Sequence, residues 1–422
     1  MNEDMLGAHR SYLNVKGAYA GIFLLGLVSL MGDIVYEGSR GLVPDYLRFL
    51  GVSAVVVGLV GGLGEFLGYA ARLVSGMLVD ATRAYWGFIL VGYALIAAIP
   101  IIGFTGRWEL ALILVLVERL GKAIRSPARD AVLSMISRGV GAGKAFGIHE
   151  FLDQVGAVLG PIIVAIWMLY SGNDYKFTFA FLLIPFLTLT ATLLYTYRKI
   201  GSQTTFEPTH SNDVNKDVSE DSVRGLKRPF YTYTCAVTLN TVGIIPAALI
   251  LYKASVILQP ENQQWMVPLI YSIIQGVDAS AALLSGYVYD RVGVKVLVAP
   301  FILSTLPPLF TIVASNIPAL LAASMLFGVV LGMQESVYRA AVSHFTSTSS
   351  RGMGYGVFNT AYGLGLLVSG AVYGLLMDLK TPFIVTLLFI TLTQIAATTI
   401  LLGTKGVKVA SHQDGKELSS SR

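Results

Sequence analysis

Ser75-Gly-Met-Leu-Val-Asp80-Ala-Thr-Arg83-Ala-Tyr-Trp-Gly87 is a short polar interruption between two long apolar runs. It returns in altered form as Ser285-Gly-Tyr-Val-Tyr-Asp290-Arg291-Val-Gly-Val-Lys295. Asp80 and Asp290 lie 210 positions apart (290 − 80). Arg129-Asp-Ala-Val132 and Arg339-Ala-Ala-Val342 repeat at the same offset (339 − 129), and Gly147 and Gly356 fall within one residue of it. Taken alone, Ser-Gly-x-x-x-Asp is a common way to begin a loop. Several weak matches at one offset, with the apolar runs repeating around them, read as a duplicated chain whose halves are the same bundle twice.

The chain has 422 residues, 54% hydrophobic and 13% charged. A soluble domain carries about 25% charged residues, so the deficit points to a polytopic membrane protein. The net charge of +5 gives no argument for nucleic acid, because basic cytoplasmic loops are expected for topology alone; the partners expected are the lipid bilayer and a small molecule. Cys235 is the single cysteine and can form no internal disulfide. No cleavable signal peptide is evident: acidic residues and a proline follow the first apolar run, not a small-residue cleavage site.

A spanning helix needs about 20 mostly apolar residues. The expected spans are about 17–48, 52–79, 86–106, 108–136, 141–171 and 177–199, then 228–258, 264–289, 294–315, 317–346, 351–377 and 381–403. This is an all-α polytopic fold of twelve helices, since a chain in lipid satisfies its backbone internally. The organisation expected is an N-terminus at 1–16, a six-helix bundle at 17–199, a linker at 200–227, a second bundle at 228–403 and a tail at 404–422. The linker is rich in Ser, Thr, Asn and Asp and reads as flexible and polar. Arg83, Arg138, Lys144, Arg198, Lys199, Arg224, Lys227, Arg228, Arg291, Lys295 and Arg351 share one side of this scheme. The other side holds little beyond Arg48, Arg107, Lys176 and Lys380. Both termini and the linker are therefore expected in the cytoplasm, with the plasma membrane as the location.

Six plus six spans, a long polar central loop and Gly76-x-Leu78-x-Asp80-x-x-Arg83 after the second span resemble the major facilitator superfamily. The resemblance covers the whole apolar chain. In that family the loop motif reads Gly-x-Leu-x-Asp-Arg-x-Gly-Arg-Arg. Here Ala81 stands where the first arginine usually is, while the second copy keeps Gly286, Asp290, Arg291, Gly293 and Lys295. The resemblance implies two pseudo-symmetric bundles around a central cavity, and a gating role for Gly76, Asp80, Arg83, Gly286, Asp290 and Arg291. Gly156-Ala-Val-Leu-Gly160-Pro161 in the fifth span resembles the Gly-x-x-x-Gly-Pro motif of the superfamily's exporters. Small residues four apart also let helices approach closely, and Pro161 removes a backbone donor, so ordinary helix packing accounts for the motif equally well. The fourth span departs from the exporters, with Val115 at the position where many carry an arginine.

Ionisable residues at mid-membrane cost about 2.5–3.5 kcal/mol each on insertion scales and call for a reason. They concentrate in the first half. Asp33, Glu37 and Arg40 share one face of the first span by spacings of four and three. Glu118, Arg119, Lys122 and Arg125 follow in the fourth, and His149, Glu150 and Asp153 in the fifth. The second half offers Asp278, Glu335 and Arg339. Family resemblance places the first and fourth spans of each half on the cavity. The expected proton-coupling residues are Asp33, Glu37, Glu118 and Asp153. The expected cavity residues are Tyr36, Arg40, Arg119, Lys122, His149, Glu150, Asp278, Glu335, Tyr338, Phe358 and Tyr362. Against this stands a closed network in which Arg40, Arg119 and Lys122 only neutralise the acids and fix helix packing. Arg125 and Arg129 are expected near the cytoplasmic surface.

The leading reading is a secondary transporter working by alternating access, a proton-coupled exporter of small organic compounds, acting as a monomer. An uptake symporter or uniporter for a small anion, metabolite or metal ion stays open because of the cations at Arg40, Arg119 and Lys122. A membrane enzyme finds no support: no nucleophile elbow, phosphate loop or metal-ligand spacing occurs, and no metal or cofactor is expected. A non-transporting sensor on the same fold would lack an output domain.

Overall fold

A computed structural model of the chain describes residues 15–137, 140–204, 226–347 and 350–404. Every regular element among them is helical. The helices are numbered here as α1 (Val15–Phe49), α2 (Ala54–Thr82), α3 (Tyr85–Phe104), α4 (Trp108–Ile136), α5 (Ala142–Tyr170) and α6 (Tyr175–Ile200). In the second half follow α7 (Arg228–Leu258), α8 (Met266–Val292), α9 (298–313), α10 (Ile317–Phe345), α11 (Arg351–Asp378) and α12 (Phe383–Gly403). Ten segments among the described residues are long and apolar enough to cross a membrane. Helix α4 is not one of them, although it runs for 29 residues. Its stripe Glu118, Arg119, Lys122, Arg125, Arg129 and Asp130 removes the required apolar character. One of the ten, Met266–Val313, is 48 residues long. At about 1.5 Å per residue that far exceeds a hydrocarbon core of about 30 Å. The segment changes course at Gly293, whose φ of +70° suits a residue without Cβ.

The expectation of purely α geometry is corrected in two ways. Short 3₁₀ turns interrupt the helices at Leu95–Ala97, Ile102–Phe104 and Gly293–Leu297. In α10, Gln334–Tyr338 is π-helical. The start of the linker also departs from expectation, since Gly201–Gln203 forms a 3₁₀ turn. The rest of the linker at 205–225, the first fourteen residues and the tail from 405 lie outside the described residues.

Helix contacts explain the small residues. In the first half α1 packs on α5 and α6, while α2 and α3 pack on α4; in the second, α8 packs on α10, and α7 on α11 and α12. A Cβ on Gly160 would sit 2.8 Å from the Ile34 carbonyl oxygen, and one on Gly156 2.6 Å from that of Leu30. The Gly156-x-x-x-Gly160 pair is thus the seam between α5 and α1, and Pro161 continues α5 without breaking it. Between the halves the longest contact is α2 along α11, where Gly58 meets Gly370 backbone to backbone.

Hydrogen bonds between the halves gather at the end away from the linker. Asp45 accepts from Tyr175 Oη at 2.8 Å and from Ser255 Oγ across the interface. Arg48 donates to Ser255 Oγ and, at 2.5 Å, to Gln259 Oε1. Asn173 Nδ2 donates to the Asn262 carbonyl at 2.8 Å, and its Oδ1 accepts from Trp265 N–H at 3.0 Å. Asp378, at the end of α11, accepts from the N–H groups of Ala54 and Val55, both at 2.8 Å. Those two donors open α2 and have no partner within their own helix.

Candidate functional site: a charge-lined cavity between the halves

A cavity of about 430 Å³ lies between α1, α2, α4 and α5 on one side and α7, α8, α10 and α11 on the other. Its first-half wall is an ion-pair network. Glu37 pairs with Arg40 at 3.0 Å and Lys122 at 3.5 Å, and accepts from Tyr271 Oη of the second half at 2.6 Å. Glu65 pairs with Arg119 at 3.2 Å and Arg40 at 3.5 Å, and Glu118 lies 3.7 Å from Arg119. Tyr36 gives its ring to Lys122, with Nζ 4.4 Å from the centroid, and to Arg125 at 5.1 Å. Each of the three cations at Arg40, Arg119 and Lys122 therefore has a carboxylate partner.

A second cluster lies where α1 meets α5. Asp33 is 2% exposed, and Asp153 of α5 is close enough for the two acids to act on one another. Asp33 Oδ1 and Asp153 Oδ1 are both buried without a hydrogen-bond donor among the described residues. Arg129 approaches Asp153 at 3.8 Å, pairs with Asp130 at 3.0 Å and donates to Ser29 Oγ at 3.0 Å. Ser29 also meets His149 Nε2 at 3.0 Å. His149 is thus held in a hydrogen bond, and among the described residues no group of three or more His, Cys, Asp or Glu is placed to hold a metal ion.

The second-half wall is built differently. Asn240, fully buried, accepts from Tyr338 Oη at 2.8 Å and donates to Gln394 Oε1 at 2.6 Å. Gln394 returns a bond to the Asn240 carbonyl at 3.0 Å, and Gln334 donates to Asn240 Oδ1 at 3.3 Å. Tyr362 Oη donates to Gln334 at 2.9 Å, and Tyr233 Oη to the Tyr338 carbonyl at 2.9 Å. This neutral network grips the π segment at both ends and sets Glu335 on the cavity wall. A π turn widens the helix and breaks the regular i→i−4 pattern, so its loosened carbonyls need outside donors; Tyr233 supplies one.

Asp33, Tyr36, Glu37, Arg40, Glu118, Arg119, Lys122, His149, Glu150, Asp153, Asp278, Glu335 and Tyr362 all line the cavity. Tyr338 and Phe358 do not, against expectation. They are 1% and 2% exposed and turn into the second-half core, where Phe358 stacks on Tyr233 at 5.8 Å and Tyr338 on Phe301 at 5.5 Å. Arg125 is also misplaced by the sequence reading. It is 2% exposed, sandwiched between Tyr36 and Tyr93, whose centroids lie 5.1 and 4.8 Å from its guanidinium carbon. Arg129 lines the cavity beside it in sequence. The spacing 118, 122, 125, 129 was the available signal: steps of four, three and four mark one helical face. The loop residues stand apart from the cavity. Asp80 and Asp290 are exposed, Arg83 ends α2 in the left-handed conformation with φ +53°, and Arg291 lies over Tyr287 at 4.1 Å. Gly76 has Pro127 of α4 near its Cα, and Gly286 has Ser336 of α10.

Comparison with known proteins gives this architecture a family. The sequence model of the Major Facilitator Superfamily matches residues 22–296 and 230–419. An uncharacterised protein of Mycobacterium tuberculosis is 34% identical over 376 residues, covering 89% of this chain and 90% of that one. An uncharacterised MFS-type transporter of Methanocaldococcus jannaschii is 26% identical, covering 85% of this chain and 89% of the relative. Among solved structures, a mutant of the nucleoside transporter NupG superposes with a TM-score of 0.74 over 90% of this chain and 99% of its own, at 12% identity. A mutant of the peptide transporter POT superposes at 0.69 over 93% of this chain and 95% of its own, at 13% identity. At such identities the likeness concerns the fold alone. With the family model matched in both halves and a third of residues shared with a relative over nearly its full length, this multi-pass membrane chain belongs to the Major Facilitator Superfamily of membrane transporters.

Proposed function

We propose that the chain is a secondary active transporter that exports small organic compounds in exchange for protons by alternating access. On this reading α4 and both parts of Met266–Val313 cross the bilayer, giving twelve crossings in two bundles. The termini and linker lie in the cytoplasm of a cell whose plasma membrane holds the protein, as the Lys/Arg asymmetry suggests. The hydrogen bonds around Asp45, Asn173 and Asp378 then close the outer end, and the conformation is the one that loads from inside.

The observation that carries this reading is the carboxyl pair Asp33 and Asp153 on the cavity wall. Two buried acids this close repel when both are charged, so a shared proton is favoured. Lys122 and Arg129 nearby are placed to take over the charge balance when that proton leaves. The pair sits on the α1–α5 seam at Gly156 and Gly160, so its protonation is tied to how those helices pack.

The competing anion-uptake reading draws on Arg40, Arg119 and Lys122, but Glu37, Glu65 and Glu118 already occupy them. Reconstitution into liposomes containing a pH-sensitive dye tests the proposal. A transported compound is expected to move protons in the opposite direction. Transport of the same compound with no proton movement would overturn the coupling.

A further inference from the structure

The charges around the cavity are unevenly matched. Arg40, Arg119, Lys122 and Arg129 of the first half each meet a carboxylate and Arg72 of α2 lies over the Tyr69 ring, whereas the second half brings two acids to the wall that have no ion pair among the described residues. Asp278 of α8 is 3% exposed, its Oδ1 is buried without a hydrogen-bond donor, and it lines the cavity. Close packing of α10 on α8, with Gly332 against the Asp278 carbonyl, brings the π segment and Glu335 beside it. The charged groups that act on Asp278 are Glu335 and Arg339 of α10, Glu37 of α1 and Glu150 of α5. Three of these four are acids. Glu37 is taken by its own cations and Tyr271, and Arg339 is the one cation of these four.

A buried carboxylate atom with no donor, on a residue of the cavity wall, is costly unless something arrives to satisfy it. We propose that Asp278 and Glu335 form the binding pole for the cationic nitrogen of an organic ammonium compound, with Glu150 at the mouth and the rings of Tyr271 and Tyr362 against its body. Aromatic faces attract such cations, and both rings line the cavity. An arriving cation and a proton compete for the same carboxylates, so one can enter as the other leaves. This names the substrate class of the exchanger proposed above and rests on that reading only for the direction of movement.

Equilibrium binding to the purified full-length protein tests the site without turnover. Benzyltrimethylammonium is the probe, with benzoate as its anionic counterpart. Its charge is permanent, so any pH dependence belongs to the protein. The cation is expected to bind and benzoate not to. Affinity for the cation is expected to rise at least about tenfold between pH 6 and pH 8 as a proton is displaced. Asp278→Asn is expected to weaken binding at least about tenfold, and Glu335→Gln serves as a second variant should the first not fold. Failure of the cation to bind, preference for benzoate, pH-independent affinity or unchanged affinity in both variants overturns the site. Cation binding without proton-linked transport in liposomes sinks the exchange reading and leaves the site standing. Proton-linked transport of a neutral compound without cation binding does the reverse.

Discussion

Two carboxylates one turn apart in α1 look alike in the sequence, yet their surroundings separate their roles. Glu37 is enclosed by Arg40, Lys122 and Tyr271, while Asp33 faces another acid. On the proposed exchange, Asp33→Asn removes a group that carries the proton. Insertion and substrate binding are expected to survive, while proton movement per transported molecule is lost in the liposome assay. Full proton-driven transport by the variant would make Asp33 structural. Glu37→Gln instead leaves Lys122 without its acid and Arg40 with only the 3.5 Å contact to Glu65. Breaking a buried pair from one side costs about 3–5 kcal/mol, and the exposure of Arg40 and Lys122, 19% and 27% of their side chains, lowers that figure. A fall in detergent-solubilised thermal stability larger than that of Asp33→Asn is expected. Arg119→Ala strands Glu118 and leaves Glu65 only its contact with Arg40, so a fall in stability is expected there too, and unchanged stability would show that the pairs of Arg119 do not hold the fold.

At the scale of the helix, the sequence showed which segments are apolar and which faces carry charge, and the Glu37–Arg40 pair follows from its spacing of three, whereas the pairs that join α1, α2 and α4 depend on how those helices pack. It could not show the π segment at Gln334–Tyr338. Nothing in Gln-Glu-Ser-Val-Tyr departs from ordinary helix propensity; the departure depends on Asn240, Gln394 and Tyr233 brought in from α7 and α12. The same register change turns Tyr338 inward, which is why an aromatic residue counted to the cavity lies in the core. Such neutral Asn and Gln residues draw no attention in an apolar run, because only ionisable groups stand out there. Asn240→Ala leaves Gln394, Tyr338 and Gln334 each short of a partner. A network cut at its hub loses more than one hydrogen bond, so a loss of several degrees in melting temperature is expected. The π segment is also expected to loosen, read as faster hydrogen exchange at 334–338. Unchanged exchange there would separate the π turn from Asn240.

Across the whole molecule, the two ends of the α2–α11 contact are treated differently. At the end away from the linker, the Asp378 carboxylate caps the two opening N–H groups of α2. At the linker end, Asp80 is exposed beyond the last turns of α2. Both are acids at the C-terminal end of one helix, and the start of the other helix carries about half a positive charge. Under the proposed alternating access one end closes as the other opens, so the two acids are expected to act in opposite conformations. Asp378→Asn leaves one acceptor oxygen for two backbone N–H donors, so one charge-assisted hydrogen bond, worth about 1.5–3 kcal/mol, is lost and the other falls to about 1 kcal/mol as a neutral one. Relative to the present conformation, a loss of about 1.4 kcal/mol shifts the ratio of the two states about tenfold toward the one open at that end. Asp80→Asn is expected to shift it the other way, because its carboxylate contributes only when the α11 start at Arg351 closes on it. Spin labels on α2 and α11 at each end read both populations. The expected result is a longer distance near Asp378 in Asp378→Asn and a longer distance near Asp80 in Asp80→Asn. A common shift in both variants, or none, would leave Asp80 as no more than the end of its helix and Asp378 as a cap without a gate.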